Sequence, residues 1–122
     1  MDKRHLHRIN VIQNLYAWSF NADKQSLPHP EEEKTDKVIA HLAEIDELIN
    51  KYAEKFSIDK IAKTDLAILR LSTYELAFEK KLPEKVVIDE AVEIAKELAG
   101  EKSYAFINAV LGKILINQEN KN

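Results

Sequence analysis

The 122-residue chain has no cysteine. That excludes disulfides and thiolate metal sites, and it leads us to expect a reducing, cytoplasmic setting. Glycine occurs twice and proline three times, too few for the turns of an all-β fold, so helices are expected throughout. No apolar run approaches the roughly 20 residues a membrane helix needs, and no membrane partner is expected. The opening MDKRHLHRINVIQ is basic but lacks an apolar stretch before a small-residue cleavage site, so it does not read as a secretory signal. Positive charge is not in excess either: the formal net charge is -3, which confines any nucleic-acid site to a local patch. Glycine-rich phosphate loops, GxSxG elbows and HExxH helices are all missing. His5 and His7, two residues apart on a helix, point to different faces. No enzyme, cofactor or metal site is expected from these patterns.

The chain does contain helical periodicity. Hydrophobic residues make up 45 % of it, enough for one core. A first helix is predicted over residues 2–21, with Asp2 as cap and Ile9, Ile12, Tyr16 and Phe20 on its apolar face. NADKQSLPHP then reads as a loop, the best candidate for a mobile segment or a boundary between the halves. A second long helix should begin within residues 31–35 and run unbroken to Phe56, through Val38, Leu42, Ile45, Ile49 and Tyr52. Thr64 should cap a third, with Leu66, Leu69, Thr73 and Leu76 on one face. Pro83 should open a fourth that Gly100 ends. A last helix should start at Lys102 or Ser103, with residues 119–122 frayed. The fold class is all-α, about five to seven helices, in a single domain (1–122) with an N-terminal half (1–56) and a C-terminal half (57–118).

Charge is patterned along these helices. Lys3, Arg4 and Arg8, with His5 and His7 between them, form a basic start; Arg4 and Arg8 lie one turn apart. Two readings stand: a stripe that grips phosphates, or an ordinary solvated helix end. Tyr16 and Trp18 either stack on unpaired bases or pack into the core. Glu90, Glu93 and Glu97, with Asp89 and Glu101, form either a solvated face or a surface for a basic protein.

Two stretches carry a family likeness. RINVIQNLYAWSF and the basic residues before it, with Arg4, Arg8, Gln13, Leu15, Tyr16 and Trp18, and the longer TDLAILRLSTYELAFEKKLPEKVVIDEAVEIAKELAGEKSYAFINAVLGKIL together resemble the NusB family. In the second, Leu69, Arg70, Tyr74, Glu75, Leu76, Pro83, Lys85, Val86, Glu90, Ala91, Ala95, Lys96, Ser103, Phe106, Asn108 and Leu111 match. The chain departs from the pattern at His5 and Leu6, where many members have arginine, and at Asp89, Glu101–Lys102, Ala105 and Ala109.

The resemblance implies an RNA-binding transcription antitermination factor. Its partners would be boxA-like single-stranded RNA, the ribosomal protein NusE and an RNA polymerase antitermination complex. It implies RNA contacts at Lys3, Arg4, His5, Arg8, Tyr16, Lys102, Ser103 and Phe106. It places Asp65 at the protein-partner surface, with Glu75 and Glu79 continuing along the same helix. Arg70, expected partly buried, should pair with Glu90 from the next helix, RNA contact being the alternative. Other functions compatible with the likeness are an RNA-binding or docking module in ribosome maturation, and a scaffold that no longer binds RNA.

Overall fold

Six α-helices account for most of the chain in a computed structural model that describes residues 2–120. They are α1 (Lys3–Trp18), α2 (Glu33–Ala40), α3 (Leu42–Tyr52), α4 (Lys63–Tyr74), α5 (Glu84–Leu98) and α6 (Glu101–Asn120). Among the described residues there is no strand, and no helix is long and apolar enough to cross a membrane. Asp2 caps α1 as expected, accepting from the amide of Arg4 at 3.1 Å.

The centre of the molecule is α4. It packs against α1, α3, α5 and α6. Every residue from Asp65 to Leu76 is consequently buried, not only the face predicted for it. Leu69, Ile68, Leu15, Ile45, Ile49, Ile94, Ile107, Leu111 and Ile114 are fully buried in one continuous cluster to which α1, α3, α4, α5 and α6 all contribute. Truncating any of these to alanine leaves a cavity and costs about 2–5 kcal/mol.

Four local features differ from the periodicity. The predicted long second helix is two helices, because His41 leaves helical geometry (φ −105, ψ 14). Its ring packs on Tyr74 and Phe78, with centroids 5.6 and 4.7 Å away, and its Nδ1 meets the Lys37 carbonyl at 3.0 Å. No glycine or proline marks this break. Thr64 is the second residue of α4, and Ala62 occupies the cap position. After Tyr74 the helix widens into a π-turn over Glu75–Glu79, closed by the Lys80 amide on the Glu75 carbonyl at 3.0 Å, with Lys80 left-handed (φ 54). At the C-terminus α6 runs on through Glu119 and Asn120, part of the segment expected to fray; Lys121 and Asn122 lie outside the described residues.

The 21–30 loop, a candidate mobile segment, is fastened to α1. The side chain of Asn14, fully buried, donates to the His29 carbonyl (2.7 Å) and to Thr35 Oγ1 (2.9 Å) and accepts from the His29 amide (2.8 Å). Leu27, in the same loop, is buried at 6 % exposure.

Candidate nucleic-acid interface

The basic start of α1 divides in two. Lys3 and Arg4 stand in solvent, Arg4 with its side chain 67 % exposed. Arg8 turns inward. Its Nε donates to Glu75 Oε1 at 3.0 Å and its Nη2 to Oε2 at 2.9 Å, a two-pronged pair in which the side chains are 11 % and 2 % exposed. Its Nη1 also lies 3.9 Å from Glu90. His5 is held between two acids of α5, Nδ1 against Glu90 and Nε2 on Glu97 at 3.0 Å. The π-turn matters here, because it carries both Glu75, bound to Arg8, and Glu79, bound to Lys34 at 3.1 Å.

These contacts revise several expectations. Glu75 and Glu79 do not form an open acidic surface for a partner: both are internal counter-ions, with side chains 2 % and 8 % exposed. Asp65 is also buried, at 8 %. Glu90 is not the partner of Arg70; it serves His5 and Arg8. Arg70 reaches across to α3 instead. Its Nε donates to Asp46 Oδ1 at 3.0 Å and its Nη2 to Oδ2 at 2.9 Å, while its guanidinium lies 5.9 Å from the Trp18 ring centre. The helix order explains the change: α4 is flanked by both α3 and α5, and the Arg70 side chain leaves it on the α3 side. Of the acidic α5 face, Glu90 and Glu97 are engaged by His5, whereas Asp89 and Glu93 meet only Lys85 and Lys96 of their own helix.

His5 makes the α1–α5 seam sensitive to pH. Its hydrogen bond to Glu90 raises the imidazole pKa above the ordinary 6.5; desolvation opposes this, and Glu97 adds to the rise. The stabilisation is therefore complete below about pH 6.5 and is lost as pH climbs through the raised folded value. Thermal melts from about pH 6 to about pH 8 should show the wild type losing stability, with His5→Gln giving a flatter profile. A wild-type profile as flat as that of the variant would remove His5 from the seam.

A second group lies around the C-terminal end of α1. Tyr16 is 43 % exposed and meets Phe20, 56 % exposed, edge to face at 5.1 Å. Lys63 Nζ sits 5.9 Å from the Phe20 ring centre. Phe20 was expected on the apolar face of the first helix, but α1 ends at Trp18 and the chain turns at Asn21 (φ 67). Phe56 behaves alike. With α3 ended at Tyr52 and Glu54 left-handed (φ 53), Phe56 is 46 % exposed and contacts Phe106 edge to face at 5.5 Å. Phe56, Phe106, Lys60, Ile61, Ala62 and Asp65 line a void of about 190 Å³. Ser103, on the first turn of α6, neighbours Asp65, and Lys102 beside it is exposed.

The fold thus gathers Ser103 and Phe106 with Phe56, which periodicity had placed on a helix seam, and with Lys60. Tyr16 joins Phe20 and Lys63 on the adjoining start of α4. The surface combines exposed aromatic rings with lysines, the chemistry that stacks on unpaired bases and holds their phosphates. Arg4 lies elsewhere, on a void of about 510 Å³ where Lys37 and Lys81 face Glu31, Glu32 and Glu33, so the field around it is mixed in sign.

Comparison with known proteins bears on the whole arrangement. The NusB family model matches residues 5–115. The chain is 36 % identical to the transcription antitermination protein NusB of Lactiplantibacillus plantarum, an alignment covering 96 % of this chain and 97 % of that protein. To the transcription antitermination protein NusB of Clostridium botulinum it is 53 % identical over 72 residues, which span 59 % of this chain and 50 % of the relative. Among solved structures, T. maritima NusB superposes with a TM-score of 0.82 at 35 % identity, covering 94 % of this chain and 92 % of the other. A chain in the crystal structure of antitermination factors NusB and NusE in complex with dsRNA superposes with a TM-score of 0.77 at 26 % identity, covering 93 % and 96 %. With the family pattern running from residue 5 to residue 115 and the helices superposing along nearly the full length, this chain belongs to the NusB family.

Proposed function

We propose that this chain is an RNA-binding transcription antitermination factor that acts in the cytoplasm, by binding and not by catalysis. It engages boxA-like RNA together with the ribosomal protein NusE and helps load an antitermination complex onto RNA polymerase. The observation that carries this reading is the end-to-end likeness to proteins of that name, including a chain from a NusB–NusE–dsRNA complex. The exposed aromatic and lysine surface around Tyr16, Phe20, Lys63, Phe56 and Phe106 supports it.

Within this reading the phosphate contacts of α1 belong to Lys3 and Arg4, whose charges face solvent, and Lys102 adds one at the start of α6. Arg8 and His5 act behind them by orienting the helix. An anisotropy titration with boxA-like and scrambled RNA, with and without NusE, tests the function. The expected result is preference for the boxA-like strand and tighter binding when NusE is present. Equal, weak binding to both RNAs in both conditions would favour a scaffold that has lost RNA binding. Lys3→Ala with Arg4→Ala should lower the slope of log affinity against log salt by about 1 per lost phosphate contact, without changing the melting temperature. An unchanged slope would take α1 out of the interface.

A further inference from the structure

The His5 imidazole meets an acid at each of its nitrogens: Nδ1 contacts Glu90, and Nε2 lies 3.0 Å from Glu97, two turns further along α5. A neutral imidazole offers one N–H donor and one lone pair, whereas a carboxylate only accepts. The neutral ring therefore satisfies one acid and sets its lone pair against the other. Both contacts form together on the imidazolium, because imidazole is a stronger base than a carboxylate and keeps the shared proton. The surrounding charges decide which contact gives way when that proton leaves. Glu90 has a second cation in reach, Arg8 Nη1 at 3.9 Å, and Arg8 is itself held by Glu75 of the π-turn. Glu97 is exposed, and His5 is the only cation it meets among the described residues. The loss falls on Glu97. Lys3 and Arg4 precede His5 in the same first turn of α1 and stand in solvent, so their placement depends on what fastens that turn.

We propose that Glu97 is a positioning residue for RNA binding: with Glu90 it clasps protonated His5, holds the first turn of α1 against α5 and so presents Lys3 and Arg4 to the phosphates. The clasp opens when His5 loses its proton. The inference rests on the RNA-binding function above and adds proton control to it. Its sign follows from two effects that agree. Protonation fastens the turn that carries the phosphate-holding cations. It also cancels one of the two carboxylate charges beside a bound polyanion. RNA affinity therefore falls as pH rises through the range in which His5 titrates. That range lies above the ordinary 6.5, chiefly through the Glu90 hydrogen bond.

Glu97→Gln separates this role from a merely structural one. The glutamine amide donates to an unprotonated Nε2, so the clasp closes on the neutral ring and no longer needs the proton. Anisotropy titrations use the full chain and a boxA-like single-stranded RNA at fixed salt, at about pH 6 and about pH 8. Wild-type affinity should fall about fivefold or more between them, the lower end of ordinary coupling between two binding events. Glu97→Gln should bind alike at both, no weaker than the wild type at the lower pH. His5→Ala should be flat at the weaker level. His7, whose Nδ1 meets Glu32 at 2.6 Å, is the control: His7→Gln should keep the wild-type dependence. Without RNA, ¹⁵N relaxation should show residues 3–7 loosening at the higher pH in the wild type and not in Glu97→Gln. The proposal is overturned if wild-type affinity is unchanged or rises with pH, or if Glu97→Gln keeps the wild-type dependence. If the wild type binds no RNA at either pH, the function itself fails. Relaxation then still decides the clasp, and a first turn equally ordered at both pH values overturns it.

Discussion

Replacing Arg8 with alanine is expected to destabilise the protein by about 3–5 kcal/mol, the range for stripping one partner from a buried ion pair. The size follows from what is left behind. Glu75 is 2 % exposed, and in the folded protein both its oxygens are bound by the Arg8 guanidinium. Without that guanidinium a carboxylate stays in a place water does not reach. It must then remain charged and unmatched, take up a proton, or open the seam between α1 and the π-turn. Urea denaturation of Arg8→Ala, Glu75→Gln and the double variant Arg8→Met/Glu75→Met measures this. Each single change should be severe, and the apolar double change should recover most of the loss, because no charge is then stranded. A loss below about 1 kcal/mol for Arg8→Ala, the level of a surface pair, would mean the pair is hydrated in solution. The result matters for function. Weakened RNA binding by Arg8→Ala would report a loosened α1, whereas the same loss in Lys3→Ala or Arg4→Ala would report lost phosphate contacts.

The second large effect is expected at Arg70. Arg70→Met should lower stability by about 3 kcal/mol, the lower end of the same range. The guanidinium is as well enclosed as that of Arg8, at 8 % side-chain exposure, but Asp46 opposite it is 23 % exposed and can be partly rehydrated. Part of the loss comes from packing, since the guanidinium also lies over Trp18. A double-mutant cycle identifies the partner. Arg70→Met combined with Asp46→Leu should be much less damaging than the sum of the two, whereas Arg70→Met and Glu90→Gln should simply add. Coupling to Glu90 in place of Asp46 would contradict the arrangement of α3, α4 and α5. At a temperature where Arg70→Met is still folded, its RNA affinity should equal that of the wild type. A folded variant with weak affinity would show that Arg70 touches RNA.

Much of this molecule was legible without coordinates. The helical character of α1, α4, α5 and α6 follows from local spacing, scarce glycine and proline, the Asp2 cap and Pro83 at the head of α5. These are properties of neighbouring residues, so they survive without knowledge of what packs where. The two stretches that resemble the NusB family lie on these same helices, apart from the π-turn and the links between them, and the family assignment was within reach for that reason.

Tertiary structure decided the rest, and the reason is distance along the chain. Arg8 meets Glu75 across 67 positions and Arg70 meets Asp46 across 24, so helix periodicity carries no information on which acid each cation finds. The break at His41 and the π-turn at Glu75 arise without proline or glycine, from rings and ion pairs supplied by other helices. Phe20 and Phe56 keep helical spacing in the sequence yet sit outside their helices, because the chain turns left-handed at Asn21 and Glu54. Two short turns thus move aromatic side chains from an expected core to the surface, and the packing of α4 against α6 sets Asp65 beside Phe56 and Phe106.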